Sequence, residues 1–152
     1  MRAQPSSSTV ILRRWAVRAL ITAALLNAAL LFIETERTPP EMAAQVIAAE
    51  AAGEGFLAMT AVGEVIRRRG GFGGFSVMSK DLPDFFKKQG FRTRLAARTA
   101  WTLSKLRMLS GGADHFENVR LFGTPEWARG MRRTASWGGL VFYRSKHFWR
   151  QK

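Results

Sequence analysis

The sequence predicts an α+β fold, mostly helical with a small β-hairpin, preceded by one N-terminal transmembrane helix. Three observations lead there. An apolar run follows a cluster of arginines near the N-terminus. Apolar positions at helical spacing occupy much of residues 41–109, and two short β-like pieces lie in the C-terminal third. At 152 residues and 47% hydrophobic, the chain is long enough for one domain with a real core.

The N-terminal element comes first. Residues 1–10 are polar, residues 1–14 form a cytoplasmic tail ending in Arg13 and Arg14, and Trp15 to Ile33 is a 19-residue apolar stretch interrupted by Arg18, Thr22 and Asn27. At about 1.5 Å per residue it spans ~28 Å, close to the ~30 Å hydrocarbon core, with Arg18 snorkelling to the interface. An ordinary buried helix would need a polar face, which is missing. No small-residue cleavage site follows, because the run passes directly into Phe32-Ile33-Glu34-Thr35-Glu36, so an uncleaved signal-anchor is expected. Arginines before it and acids after it place the N-terminus in the cytoplasm and the rest outside, in the periplasm of a Gram-negative cell. Five alanines between Ala19 and Ile33 weaken the burial, so release from the inner membrane is part of the expectation.

Residues 34–40 form a linker, and residues 41–152 the folded domain. Pro39-Pro40 and Glu41 suit a helix start. In residues 41–52, Ala43, Val46, Ile47 and Glu50 share one face, so the position that should continue the apolar stripe is a glutamate. Phe56 to Arg69 reads as a second helix with apolar rows Leu57, Ala61, Val65 and Ala58, Val62, Ile66. A short helix is expected over 81–88 with Leu82, Phe85 and Phe86 inward. A longer basic one over 92–109 has Leu95, Ala96, Thr99, Leu103 and Leu106 as its apolar face. Strands are expected at His115–Leu121 and Leu140–Arg144, with a helical turn over 125–133 between them.

Charge and composition bound the chemistry. There are 24 Lys+Arg against 11 Asp+Glu and no cysteine, which excludes disulfides, thiol nucleophiles and thiolate zinc sites. Two histidines do not provide the usual zinc sets, and neither metal nor cofactor is expected. From Arg67 to Lys152 there are 19 bases and five acids, whereas Glu34 to Glu64 holds six acids and one base. Such a cationic surface suits a polyanionic partner: nucleic acid, anionic lipid or wall polymer.

Glu50 is the leading catalytic candidate. A carboxyl on an apolar helix face is desolvated on folding and stays protonated to higher pH, as a general acid requires. On periodicity alone a solvated Glu50 on an outer face stands beside that reading. Glu54, one turn on, reads as a structural or supporting acid. Arg67-Arg68-Arg69-Gly70-Gly71-Phe72 is similar to an RNA-binding Arg/Gly segment, and equally to a helix C-terminus whose arginines meet the dipole. As a single copy it is taken as the latter. The glycines lack the Gly-Lys-Ser/Thr of a nucleotide loop. Asp114 and His115 are expected on opposite strand faces, unable to form a catalytic relay together. Trp101, Trp127, Trp137 and Trp149 are expected in core or interface, with one or two free to stack on sugars.

Two blocks then line up. Ala49-Glu50-Ala51-Ala52-Gly53-Glu54 with Ala61-Val62-Gly63-Glu64-Val65-Ile66 resembles the opening of the spore-cortex-lytic type of bacterial cell wall hydrolases. Gly112-Ala113-Asp114-His115-Phe116-Glu117-Asn118-Val119, Pro125-Glu126-Trp127-Ala128, Thr134, Gly138 and Val141-Phe142-Tyr143-Arg144 resemble its later block in the same order. The resemblance covers roughly residues 43–145. It departs at Arg67-Arg68-Arg69, where a Leu-Asn-Arg-Val-like string is usual, and in a short, unmatched middle segment.

The resemblance implies a lysozyme-like or lytic-transglycosylase-like domain that cleaves the MurNAc-GlcNAc backbone of peptidoglycan, with Glu50 as the acid. It also implies substrate-binding or supporting roles for Glu54, His115, Glu117, Asn118, Trp127 and Tyr143. With the signal-anchor, the whole chain resembles a bacteriophage endolysin of the signal-arrest-release kind, acting in host cell lysis. Peptidoglycan and the inner membrane, through residues 15–33, are then the expected partners, with no nucleic acid and no obligate protein partner. The alternative is a non-catalytic, membrane-anchored cationic protein that binds nucleic acid or anionic envelope polymer. A holin-like protein would need more membrane-embedded chain than one segment.

Overall fold

The computed structural model describes residues 38–75, 77 and 81–146. The expected tail, transmembrane helix and most of the linker lie outside them, as does Trp149. Among the described residues no helix is long and apolar enough to cross a membrane. What they form is a mostly helical α+β fold with a three-stranded antiparallel sheet.

Helix α1 (Pro40–Ala51) begins on a proline at its first turn and buries Ala43, Ala44, Val46, Ile47, Ala48 and Ala51. A short 3₁₀ turn over Ala52–Glu54 and Gly55 lead into α2 (Phe56–Arg69), which stops at Gly70 in the left-handed conformation. Both expected apolar rows of α2 are buried except Leu57. Helix α3 (Leu82–Lys88) buries Leu82 and Phe86, but Phe85 faces outward, contrary to expectation. Helix α4 (Phe91–Leu103) is followed by a 3₁₀ turn over Ser104–Leu106.

The face of α4 differs from the one expected. Ala97, Ala100, Trp101 and Ser104 are buried, while Leu95, Thr99, Leu103 and Leu106 are exposed. The reason is the approach of α2: a Cβ on Gly63 would stand 2.9 Å from the Ser104 Cβ and 3.2 Å from Ile47 Cδ1. Elements that close accept alanine and serine between them, and the leucines are turned outward. Arg67 completes the contact, donating to Ser104 Oγ at 2.7 Å and lying over the Trp101 ring.

The sheet has the order β1-β3-β2, formed by β1 (His115–Asn118), β2 (Arg132–Trp137) and β3 (Leu140–Arg144). The expected strand over 115–121 ends at Asn118, whose side chain accepts from the Leu121 N–H and caps a one-turn helix α5 (Val119–Phe122). A 3₁₀ turn at Glu126–Gly130 matches the expected helical turn. Strand β2 was not expected, since Arg132 and Arg133 are exposed and a bulge between Arg133 and Ala135 breaks its alternation. It makes the hairpin with β3 through Gly138-Gly139, and Gly138 has a φ of 60°. Central strand β3 is buried on both faces. Leu140 and Phe142 join the helical core, whereas Val141 and Tyr143 pack with Ala128, Val119 and Met131 on the other side.

Candidate active site

Four acids occupy sheltered positions, and their surroundings divide them sharply. Glu64, on the inner side of α2, accepts from the Leu109 and Ser110 N–H groups at 2.8 and 2.7 Å. It thereby ties down the loop that also receives Thr134 Oγ1 and Trp137 Nε1 on its carbonyls. Glu54 has a side chain only 9% exposed. It accepts from Asn118 Nδ2 at 2.7 Å and from the Gly139 N–H, with Arg120 3.9 Å away. The Gly139 N–H holds its pKa below the usual range against the opposing effect of burial, with Asn118 and Arg120 assisting. Glu54 is therefore an ionised clamp between the end of α1 and the β2–β3 turn.

Asp114 is fully buried and accepts from Ser145 N–H at 2.9 Å and from Ser145 Oγ at 2.6 Å. Its Oδ1 also lies 2.9 Å from His115 Nδ1. Burial pushes its pKa up, but the His115 and Ser145 contacts outweigh that and leave it lowered. The expected placement of Asp114 and His115 on opposite strand faces is corrected by this contact. Asp114 precedes β1, so strand alternation does not govern its side chain. The contact still makes no nucleophilic relay, because Ser145 donates its hydroxyl to the aspartate rather than to the imidazole.

Glu50 behaves differently. It lies half-buried in the last turn of α1, one helical turn beyond the buried Val46 and Ile47. Desolvation raises its pKa, and the negative charge of Glu117 raises it further. The Val77 backbone N–H and the Arg69 guanidinium oppose the shift without cancelling it. The periodic reading of a partly desolvated acid on this helix face is thus met.

Strand β1 links the expected site residues. Asn118 holds Glu54, and Glu117, on the edge strand of the sheet, acts electrostatically on Glu50. His115 pairs directly with Tyr143 across the strands. The His115 ring stands 5.5 Å from that of Trp127, which meets Tyr143 edge-on, also at 5.5 Å. Alternation sets His115 and Tyr143 on the sheet face turned away from the helices, and Trp127 meets them there from its 3₁₀ turn, whereas Glu50 belongs to the helical layer. The structure gathers the named residues into three groups rather than one. Tyr143 is buried and serves as a support, while Trp127 remains open.

The sequence marks Arg69 only by its place at a helix end. It donates to the Asp114 and Gly73 carbonyls, lies over the Phe75 ring and reaches Glu50 electrostatically. No spacing in the sequence marks that role, since the partners come from three different segments. Among the described residues, no group of three or more His, Asp or Glu is placed to hold a metal ion. Comparison with family models, curated proteins and solved structures finds no match to the chain.

Proposed function

We propose that this chain is a general-acid enzyme that cleaves the MurNAc-GlcNAc backbone of peptidoglycan, with Glu50 as the acid. One observation carries the reading: Glu50 is half-buried in the last turn of α1, where burial raises its pKa, whereas hydrogen bonds to Glu54 and Asp114 lower theirs. A carboxyl whose pKa is raised is what a general acid at a departing glycosidic oxygen needs. The motif resemblance independently selects the same residue, and a mostly helical α+β fold is compatible with a lysozyme-like or lytic-transglycosylase-like domain.

In this reading Glu50 donates its proton to the glycosidic oxygen as the bond to the muramic C1 breaks. In the transglycosylase course the muramic C6 hydroxyl attacks C1 and returns its proton to the Glu50 carboxylate. The acid is thereby restored and no water is consumed. Burial raises the Glu50 pKa, the Glu117 charge adds to the rise, and Arg69 limits it. Residues 15–33 would anchor the enzyme in the inner membrane with its domain in the periplasm, as in a phage endolysin released to lyse its host.

The test is a peptidoglycan zymogram with the full chain and with Glu50→Gln, followed by mass spectrometry of the soluble products. Clearing that is lost in the variant is expected. Anhydromuramic ends in the products indicate transglycosylation, and reducing ends indicate hydrolysis. Salt-sensitive binding of anionic polymer without any bond cleavage would instead favour the non-catalytic cationic reading.

A further inference from the structure

We propose that the outer face of α4, together with the turn that follows it, is a docking surface for an anionic lipid bilayer. The inner face of this helix is occupied by Ala97, Ala100 and Trp101 against α1 and α2. Opposite them, Phe91 and Leu95 stand one turn apart on α4, and Leu106 lies at the end of the 3₁₀ turn that follows. They are 70%, 51% and 58% exposed, and Met108, just beyond, is 75% exposed. Four large apolar side chains are thus turned to water within residues 91–108.

The charge around the stripe identifies what covers it. From Phe85 to Ala113 the chain contains no acid and seven bases. Two of these meet acids from outside that stretch, Lys87 with Asp84 and Arg98 with Glu41. The exposed Lys88, Arg92 and Arg107 add positive charge to the same stretch. A bilayer surface accepts both parts at once: phosphates meet the arginines and lysines, and the apolar side chains enter the acyl boundary. Arginine stems lie along that boundary while their heads stay in water. A wall polymer or nucleic acid would satisfy the charges but leave Leu95, Leu106 and Met108 in water. The inference does not rest on the catalytic reading of Glu50.

The chain has no cysteine, so one label reports one place. Leu95→Cys and, as reference, Arg129→Cys are made in the full chain and labelled with an environment-sensitive fluorophore. Each is mixed with phosphatidylcholine vesicles with or without phosphatidylglycerol. The expected result is a blue shift and quenching by brominated lipid at position 95 with phosphatidylglycerol, reduced several-fold without it, while position 129 stays aqueous. Adding the exposed pair Lys88→Glu and Arg92→Glu, with the fold checked by circular dichroism, is expected to reduce the signal several-fold.

A label at position 95 that stays as wet as that at 129 overturns the proposal. So does an equal shift with both lipids, or no loss in the charge-reversed variant. A shift that appears without vesicles as protein concentration rises assigns the face to a second copy instead. One seen only with RNA or purified cell wall assigns it to a polymer.

Discussion

Asn118 Nδ2 donates to Glu54 Oε1 at 2.7 Å across 64 residues of sequence, and joins the end of α1 to the end of β1. The other oxygen of Glu54 receives the Gly139 N–H from the hairpin turn. Three segments distant in sequence therefore meet on one carboxylate. Glu54→Gln keeps the shape but turns an amide group toward one of these donors. Hydrogen bonds to a charged group contribute about 1.5–3 kcal/mol, so a loss of about that size is expected in urea unfolding. An unchanged midpoint would mean that the clamp is not needed for the fold.

The helix crossing at Gly63 gives a prediction whose sign runs against helix propensity. Gly→Ala inside a helix ordinarily stabilises by about 0.5–1 kcal/mol. Here the added methyl meets Ser104 Cβ at 2.9 Å and Ile47 Cδ1 at 3.2 Å, in a buried contact between three elements. Overpacking of this kind costs about 1–3 kcal/mol, so Gly63→Ala is expected to lower the thermal midpoint. A raised midpoint would show that α2 and the Ser104 turn separate easily.

Acid sensitivity should trace to Asp114. Its folded pKa lies below the unfolded value, so its contribution is present above about pH 4 and is lost as pH falls through the folded pKa. Asp114→Asn is therefore expected to be less stable than the parent chain at neutral pH. The gap should narrow progressively below about pH 4 in pH-dependent denaturant unfolding. A gap independent of pH would assign the effect to packing alone.

Much of the helical layer is legible in the sequence because its signals are local. The stripe Ala43-Val46-Ile47-Glu50 and the rows of α2 follow one period, and burial follows them. The face of α4 is not legible, because Leu95 and Leu103 look like core residues until the close approach at Gly63 admits only alanine and serine. Strand β2 hides behind its exposed arginines and its bulge, although Gly138-Gly139 between Trp137 and Leu140 is a two-residue hairpin signal. The half-buried place of Glu50 on α1 follows from the same period. Arg69 and the Asp114–His115 contact arise from tertiary proximity and from a residue lying just outside a strand, which no spacing rule addresses.

The pH profile of cleavage should depend on Glu117. Its charge raises the Glu50 pKa in addition to burial, so Glu117→Gln removes one of two upward effects. Activity that needs protonated Glu50 falls as pH rises through that pKa, and the fall should move to lower pH in the variant. Activity at pH values below the fall should change much less. A descending limb that stays in place would remove Glu117 from the account and leave desolvation as the sole cause.

The most direct measurement is the rate of peptidoglycan solubilisation by the full chain and by Glu50→Gln, at matched fold by circular dichroism. General-acid catalysis contributes about 10²–10⁴-fold, and the account predicts a loss of at least that order, with glycan ends generated only by the parent chain. Equal rates in the two proteins, or release of products without new glycan ends, would contradict it.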